Sequence, residues 1–388
     1  MSDNLVTKLL DVVADSLDIP KTYYVKAVDR HKSLGVWLCR RESKLAVFNP
    51  SVHSQGSFRY GTVVRPLFAN AEYDLDNVTT LEIAKTVFSQ KELKQLYGAE
   101  VRAYADAHAM NEPVEETNRC WRLRYSDEVS FHLDALPCIA EEQAIINAII
   151  ARGVPQKWAQ LAVAITDRRH PEYERISRNL FSSNPRGFAR WFEERVRPWA
   201  LSQIRSLVDQ RLYASVEEVP AYEWKTPLQR SIQLLKRHRD VMFRDNPGVG
   251  PISMIITNLA AHAYAGEPDI WTAVTNIVKE MPRFVNPSHP RVPNPANPAE
   301  DYADKWRRNS SLEENFWLWH TQVGIDLEEL PSVLAGDRIY SQMKKTFSVD
   351  LTQDELKLFK RSTPVTRLAR PAAAVSIQSA PRPWSEHV

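Results

Sequence analysis

Two aspartates one residue apart, Asp74 and Asp76, stand a short distance after the pair Gly56-Ser57 in a chain of 388 residues. In an extended strand, side chains alternate between the two faces, so both aspartates would point the same way while their neighbours point into the protein. Two carboxylates on one face can hold divalent cations, because Mg²⁺ prefers hard oxygen ligands and usually takes one or two protein carboxylates. The spacing therefore predicts a metal-binding strand, and the alternative is an edge strand whose aspartates are only solvated.

The Gly-Ser pair favours the first interpretation. A glycine lets the backbone approach a phosphate closely, and a following serine adds an amide and a hydroxyl donor. Gly61-Thr62 follows soon after, but the chain contains no Gly-Lys-Ser/Thr sequence, so it has no phosphate loop of the Walker type. Gly56 and Ser57 are therefore predicted to contact phosphate together with metal, and the substrate class indicated is a nucleoside triphosphate.

A third carboxylate is expected on a neighbouring strand, because two metal ions about 4 Å apart need a further ligand. Residues 129–137 alternate between apolar and polar side chains, and Asp134 lies on the polar face with Ser130 and His132. Asp134 is the natural third ligand. The alternative is a turn residue at the end of the strand, shortly before Pro137.

Taken together, these motifs resemble the polymerase-beta-type nucleotidyltransferase superfamily. Within it, the chain is similar to the bacterial cyclic oligonucleotide synthases of anti-phage defence (CD-NTases, the enzymes of CBASS systems), which are relatives of cyclic GMP-AMP synthase and oligoadenylate synthase. Further matching stretches are residues 131–138, 183–192, 228–240 and 251–254. The resemblance extends roughly from residue 5 to residue 345.

The resemblance implies an α+β fold. A polymerase-beta-like nucleotidyltransferase core, a mixed sheet with helices, would occupy residues 1–205 and include an N-terminal spine helix that joins the lobes. A C-terminal helical lobe at residues 206–362 would close the active-site cleft. Residues 363–388 are rich in Ala, Pro, Ser and Arg with little periodicity, which is typical of a disordered tail.

The activity implied is synthesis of a cyclic di- or trinucleotide second messenger from nucleoside triphosphates, with two Mg²⁺ ions, or Mn²⁺ instead, and release of pyrophosphate. Asp74, Asp76 and Asp134 would be the catalytic and metal-binding residues. Two other functions remain open at this point. One is template-independent linear nucleotidyl transfer to RNA or a small acceptor, and the other is a catalytically silent nucleotide-binding module.

The helical half is expected to supply a cation for the triphosphate. Lys236 lies at the edge of the apolar stripe formed by Leu228, Ile232 and Leu235, from which it can reach into a cleft between the lobes. The resemblance assigns Lys236 and Ser253 to the triphosphate. The alternatives are a solvated lysine in a Lys-Arg-His-Arg run and, for Ser253, a helix cap.

Charge and composition limit the partners. The formal net charge is +2 at pH 7, with 50 Lys plus Arg against 48 Asp plus Glu, which disfavours an RNA-modifying enzyme with a large basic surface. The cysteines form no zinc pattern. This departs from the animal cyclic GMP-AMP synthase, whose zinc insertion serves DNA binding, so the resemblance implies no activation by DNA. No apolar run approaches the roughly 20 residues of a membrane span, and a cytoplasmic location without membrane contact is predicted. Some relatives are joined to other proteins through their C-terminal residue, so the resemblance implies conjugation of the tail or a regulatory protein partner.

The local patterns predict strands at residues 35–39 and 44–48 and a helix at 79–97. From about residue 140 the pattern becomes helical. The helices predicted there are residues 141–151, 187–212, 226–243, 251–264 and 268–279.

Overall fold

A mixed β-sheet and a bundle of helices form the two halves of the computed structural model, which describes residues 2–68, 71–126, 130–209, 225–334 and 338–360. The predicted tail at residues 363–388 lies outside the described residues. In the described ranges the sheet strands are β1 (Ser51–Gln55), β2 (Tyr73–Leu81), β3 (Glu115–Glu116), β4 (Trp121–Ser126), β5 (Ser130–Ala140), β6 (Val163–Ile165) and β7 (Phe181–Ser183).

The strands follow the order β1-β2-β5-β4-β3, and β6 joins the sheet beside β5 and then pairs with β7. β2 and β5 run parallel, and the other neighbours are antiparallel. The parallel ladder places Asp76 beside Asp134 and Asp74 beside His132. The centre of the sheet therefore carries the predicted carboxylates on two adjacent strands.

One face of the sheet is apolar and the other carries the polar residues. Tyr73 and Leu75 of β2 and Phe131 and Leu133 of β5 are buried in one hydrophobic cluster. Because strand residues alternate, the aspartates between them lie on the opposite face. The predicted alternation of β2 and of the β5 segment is confirmed.

The prediction of strands at residues 35–39 and 44–48 is wrong. The first segment is the end of helix α2 (Lys21–Cys39), whose buried residues Ala27, Arg30, Leu34 and Leu38 recur every three or four positions. This helical period decides the structure because it buries one stripe along the whole segment. The second segment ends in a short 3₁₀ turn at Ala46–Phe48, where no strand partner is present among the described residues.

The helix predicted at residues 79–97 begins later. β2 continues to Leu81, and helix α4 runs from Gln90 to Ala107. Its start is fixed by a capping box in which the Ser89 side chain accepts from the Glu92 amide while the Glu92 carboxylate accepts from the Ser89 amide. Between β1 and β2, a single short turn forms helix α3 (Gly56–Tyr60).

The second half is mainly helical, as predicted. In the described residues its α-helices are α5 (Gln143–Ala151), α6 (Gln156–Ala159), α7 (Pro185–Asp209), α8 (Pro227–Met242), α9 (Ser253–Ala263), α10 (Ile270–Glu280), α11 (Ser311–Leu334), α12 (Ile339–Phe347) and α13 (Gln353–Lys360). Each of the five predicted helices corresponds to one of these, with ends that differ by a few residues. Two short strands, β8 (Pro293–Asn294) and β9 (Asn297–Asp301), pair within this half.

Helix α1 (Ser2–Ser16) begins the chain, and its buried residues belong to the hydrophobic cluster of the helical half. Just after its end, the Leu17 carbonyl accepts from the Arg65 amide at 2.7 Å, which ties it to the segment that precedes β2. α7 contains the predicted boundary after residue 205, and its first turns, with Phe188 and Phe192, pack in the same helical cluster. The division at that residue stays a prediction. In the described part of the chain, no helix is long and apolar enough to cross a bilayer.

Candidate active site

Gly56 begins the turn that faces the two aspartates. It follows β1, where Gln55 pairs with Asp76, and its φ of +68° is a backbone conformation that side-chain-bearing residues rarely adopt. A Cβ at this position would overlap Asp76 Oδ2. Glycine is therefore required here for two independent reasons, the left-handed backbone and the close approach of a carboxylate.

Asp74 and Asp76 project from β2 into the same cleft. The Asp74 side chain is 57% exposed, whereas burial raises the pKa of the Asp76 carboxyl well above its usual range, and the charges of Asp74 and Asp134 raise it further. Like charges brought together in a partly desolvated place favour the neutral form of one of them. The cluster is therefore unfavourable by itself and is suited to a cation.

Asp134 lies beside Asp76 but is already paired with a cationic side chain, that of Arg122. Both of its oxygens accept from Arg122 of β4, with Nε to Oδ1 and Nη2 to Oδ2 each at 2.7 Å. His132 makes a corresponding contact with Asp74, Nε2 to Oδ1 at 2.9 Å. Burial lowers the pKa of His132, but the hydrogen bond and the charge of Asp74 outweigh it, and the net shift is upward.

Ligand atoms of Asp74, His132 and Asp134 lie within 4.8 Å of one another. This grouping contains two of the three predicted carboxylates and adds a histidine. Each carboxylate has about four acceptor directions, so an oxygen that accepts from a side chain keeps capacity for an ion. The donor set is compatible with a divalent cation.

Lys236 reaches the cleft from α8. It is 5% exposed, and its Nζ donates to the Thr62 carbonyl at 3.2 Å and to Thr62 Oγ1 at 3.1 Å. Burial and the charge of Arg239 lower the pKa of Lys236 to about 7, while Asp240, Asp76 and Asp74 act in the opposite direction. The alternative of a solvated surface lysine is wrong, because the side chain is buried in the wall of the cleft.

A cavity of ≈ 510 Å³ brings most of the predicted residues together. Its lining includes Gly56, Ser57, Asp74, Asp76, Lys236 and Ser253, together with Tyr60, Thr62, Val63, Val64, Arg65, Pro66, Glu72, Tyr73, Arg239, Asp240, Ile252, Met254 and Thr257. Asp134 is not part of this lining and lies beside Asp76 in the strand register. Sheet residues form one side of the cavity and helical residues the other.

Comparisons with known proteins identify the relatives of this chain. A family model described as cyclic GMP-AMP synthase DncV-like, nucleotidyltransferase domain, matches residues 50–137, the range that holds Gly56 and all three aspartates. The c-di-GMP synthase of Roseivirga ehrenbergii is 28% identical over 358 residues, which are 90% of this chain and 87% of that protein. The chain is a CD-NTase. It is thus a nucleotidyltransferase of the cyclic oligonucleotide synthase class, and linear transfer is not favoured.

Two further comparisons concern one relative of this CD-NTase, CdnG of Bradyrhizobium diazoefficiens. The curated cyclic dinucleotide synthase CdnG is 24% identical over 375 residues, 88% of this chain and 82% of that protein. Its solved structure in complex with GTP superimposes with a TM-score of 0.65 at 20% identity and covers 92% of this chain and 97% of that one. The two share the fold, which confirms the predicted nucleotidyltransferase core with a helical lobe.

On the helical side of the CD-NTase cleft, Ser253 is not the cap of its helix. The N-cap position of α9 is occupied by Ile252, and Ser253 Oγ accepts from Arg239 Nη1 at 3.1 Å. Arg239 is in turn held by Asp240 Oδ1 and by the Pro251 carbonyl. The cap alternative is therefore wrong, and Ser253 has an exposed hydroxyl at the cleft.

The sequence patterns do not single out Arg122 or Glu72, and they give no role to Arg239 or His132. His132 was visible as a polar member of the β5 face. Arg122 carries a similar signal, because it alternates with buried Trp121 and Leu123 on β4. Divalent metal ions are typical of the family, and the cluster of Asp74, His132 and Asp134 is where this chain offers ligands.

Proposed function

We propose that this CD-NTase makes a cyclic dinucleotide from GTP with Mg²⁺ as the metal. The observation that carries the proposal is the pair Asp74 and Asp76 on one strand face, opposite the cation of Lys236 in one cavity. The guanine base and the ring of two nucleotides are supported by the c-di-GMP synthase among the relatives and by the GTP complex of CdnG.

The ions would be held by Asp74, Asp76 and Asp134, which are hard oxygen donors of the kind that Mg²⁺ prefers. Bound Mg²⁺ supplies positive charge that lowers the pKa of an acceptor ribose hydroxyl and stabilises the leaving pyrophosphate. The raised pKa of Asp76 supports this assignment, because burial and then the charges of Asp74 and Asp134 raise it, and a neighbouring cation would offset these effects.

The residues of the chain position the triphosphate and move the proton. Lys236 binds the triphosphate as a point charge, the Ser253 hydroxyl donates to it, and the Gly56-Ser57 turn contacts phosphate through backbone and hydroxyl donors. Asp134 receives the proton of the acceptor hydroxyl, which attacks in line at the α-phosphorus. For ring closure, the linear product turns so that its own triphosphate enters the same cleft. One site then serves both bond-forming steps.

The direct test is incubation with each of the four α-labelled nucleoside triphosphates and their mixtures in Mg²⁺, followed by phosphatase treatment and mass spectrometry. A phosphatase-resistant product with the mass of a cyclic guanine dinucleotide, formed from GTP alone, is expected. A product that loses its label to phosphatase would identify a linear transferase. A resistant product without guanine would contradict the substrate assignment alone.

Triphosphate binding is expected to weaken as the pH rises through 7. With a pKa of about 7 in the free protein, Lys236 is charged below that pH and neutral above it. From about pH 6 to about pH 8, the affinity for a triphosphate analogue blocked at the α,β bridge should fall up to about tenfold. Isothermal titration calorimetry at the lower and the higher pH measures this affinity.

Lys236→Arg is the control, because arginine stays charged throughout and is expected to show only the pH dependence of the ligand itself. Equal slopes for the two proteins would show that Lys236 does not titrate against the triphosphate. The remaining expectations, a cytoplasmic location, a regulatory protein partner or tail conjugation, and independence from DNA, stay predictions.

A further inference from the structure

Residues 60–65, named the strap here, lie along helix α8 and are held to it through the backbone. The Tyr60 carbonyl accepts from Gln229 Nε2 at 2.8 Å, and the Val63 carbonyl accepts from Gln233 Nε2 at 2.6 Å. Lys236 Nζ donates to Thr62, as described above, and the Arg65 carbonyl accepts from Arg237 Nη2. All four donors lie on α8: Gln229, Gln233, Lys236 and Arg237.

These donors form one stripe of the helix, since positions four, seven and eight residues after the first lie on the same face. Gln233, Lys236 and Arg237 are 0, 5 and 4% exposed. Breaking these hydrogen bonds is costly, because a buried carbonyl that loses its donor cannot bond to water instead and suffers the full desolvation penalty. The strap is therefore held against α8 by several buried side-chain donors along its length.

The strap continues directly from the turn that begins at Gly56. The Thr62 amide donates to the Ser57 carbonyl at 2.9 Å, so a displacement of the strap also displaces that turn. Strap residues from Tyr60 to Arg65 line the cavity, Gly61 excepted. The position of the phosphate-binding turn is thus determined by α8, a helix more than 160 residues later in the chain.

Lys236 differs from the other three donors because the proposed function gives it a second partner. In the ligand-free protein its ammonium is engaged by both oxygens of Thr62. Binding a triphosphate requires it to release at least one of them, and the strap then depends on Gln229, Gln233 and Arg237 for its position. Thr62 and the nucleotide compete for the Lys236 ammonium, and Gln229 and Gln233 keep the strap in place during this exchange.

We propose that Gln229 and Gln233 are positioning residues for the donor triphosphate and that Thr62 holds Lys236 in a resting position from which the nucleotide releases it. The inference rests on the proposed role of Lys236 in triphosphate binding. It predicts opposite changes in nucleotide affinity for two kinds of variant. Removing a glutamine donor weakens nucleotide binding, whereas removing the Thr62 hydroxyl strengthens it.

The test compares KM for GTP and kcat in four variants of the full chain. Gln233→Met and Gln229→Met are expected to raise KM about fivefold or more with a smaller change in kcat, the factor that corresponds to one hydrogen bond of ordinary net strength. Thr62→Val is expected to lower KM by a similar factor. Thr62→Ser retains the hydroxyl and is expected to keep the wild-type KM.

Gln342→Met is the matched control, because Gln342 donates to Thr346 on α12, away from the cleft. Melting temperatures are measured for all variants, since a merely structural role would lower stability without moving KM in opposite directions. An unchanged KM in both glutamine variants, or an increase with Thr62→Val, would overturn the inference. If Gln233→Met does not fold, Gln229→Met and Thr62→Val decide by the same criteria.

Lys236→Met separates this inference from the proposed function. If that variant binds GTP like the wild type, the triphosphate role of Lys236 fails and the inference fails with it. If Lys236→Met raises KM while the glutamine and Thr62 variants leave it unchanged, the proposed function stands and the positioning role is rejected.

Discussion

Asp76→Asn is expected to abolish pyrophosphate release and, at the same time, to raise the melting temperature of the metal-free protein. Loss of one ion ligand should reduce the rate by at least about 1,000-fold, the upper range for removal of a single electrostatic stabiliser at a reacting group. The gain in stability has a separate cause. Burial and two neighbouring carboxylates raise the folded-state pKa of Asp76, so its ionised form destabilises the fold at neutral pH.

The sign follows from linkage. A carboxyl whose folded pKa lies above its unfolded value binds protons more tightly in the folded state, and stability falls as the pH rises through that range. Asparagine removes this penalty, so the metal-free variant is expected to melt at a higher temperature than the metal-free wild type. Addition of Mg²⁺ should stabilise the wild type more than the variant. Differential scanning calorimetry with and without Mg²⁺ measures both effects.

Asp134→Asn is the contrasting variant. Both oxygens of Asp134 accept from Arg122, so its replacement leaves a partly buried guanidinium without its carboxylate and should lower the melting temperature. Activity should be lost in both variants while stability changes in opposite directions. Normal turnover by Asp76→Asn, or a lower melting temperature for it, would refute the electrostatic account of the cluster.

Gly56→Ala is expected to reduce kcat/KM by about 100-fold or more, since misplacing a reacting group by about 1 Å can cost that factor. The new Cβ would overlap Asp76 Oδ2, so either the carboxylate or the turn must move. The positive φ adds a strain of about 1 to 2 kcal/mol. Steady-state pyrophosphate release measures the effect on catalysis.

Gly153→Ala separates the two causes. Gly153 also has a positive φ, +88°, but a Cβ there meets nothing within 4 Å. Its replacement should therefore lower stability through backbone strain and leave the reaction rate unchanged. If both variants lose activity equally, strain and not contact with Asp76 would be responsible.

The carboxylates of the site could be predicted because buried and polar residues alternate along their strands. Asp74, Asp76 and Asp134 follow buried residues on their strands, and this pattern alone predicts that they share a face. The helices of the second half were predictable because long periodic segments give a strong signal. α2 was misread because a short stretch with Val36 and Trp37 favours a strand, while the longer helical period decides the fold.

The contacts that hold the site together could not be predicted in this way. The pairing of Arg122 with Asp134 depends on the order of strands in the sheet, which the local pattern does not contain. The hydrogen bonds of Gln229 and Gln233 join residues about 170 positions apart, and nothing in the spacing of α8 indicates their partners. Only the tertiary structure identifies them.

The strap also has a consequence for the order of events during synthesis of the chain. Domains form from the N-terminus as the chain emerges from the ribosome, and the sheet that carries the carboxylates is complete long before α8 has been made. Until then, the carbonyls of Tyr60, Thr62, Val63 and Arg65 lack their donors. A nascent chain therefore carries the carboxylate cluster before it can fix the turn at Gly56, and the cleft is complete only when α8 and then α9, which also lines the cavity, have been made.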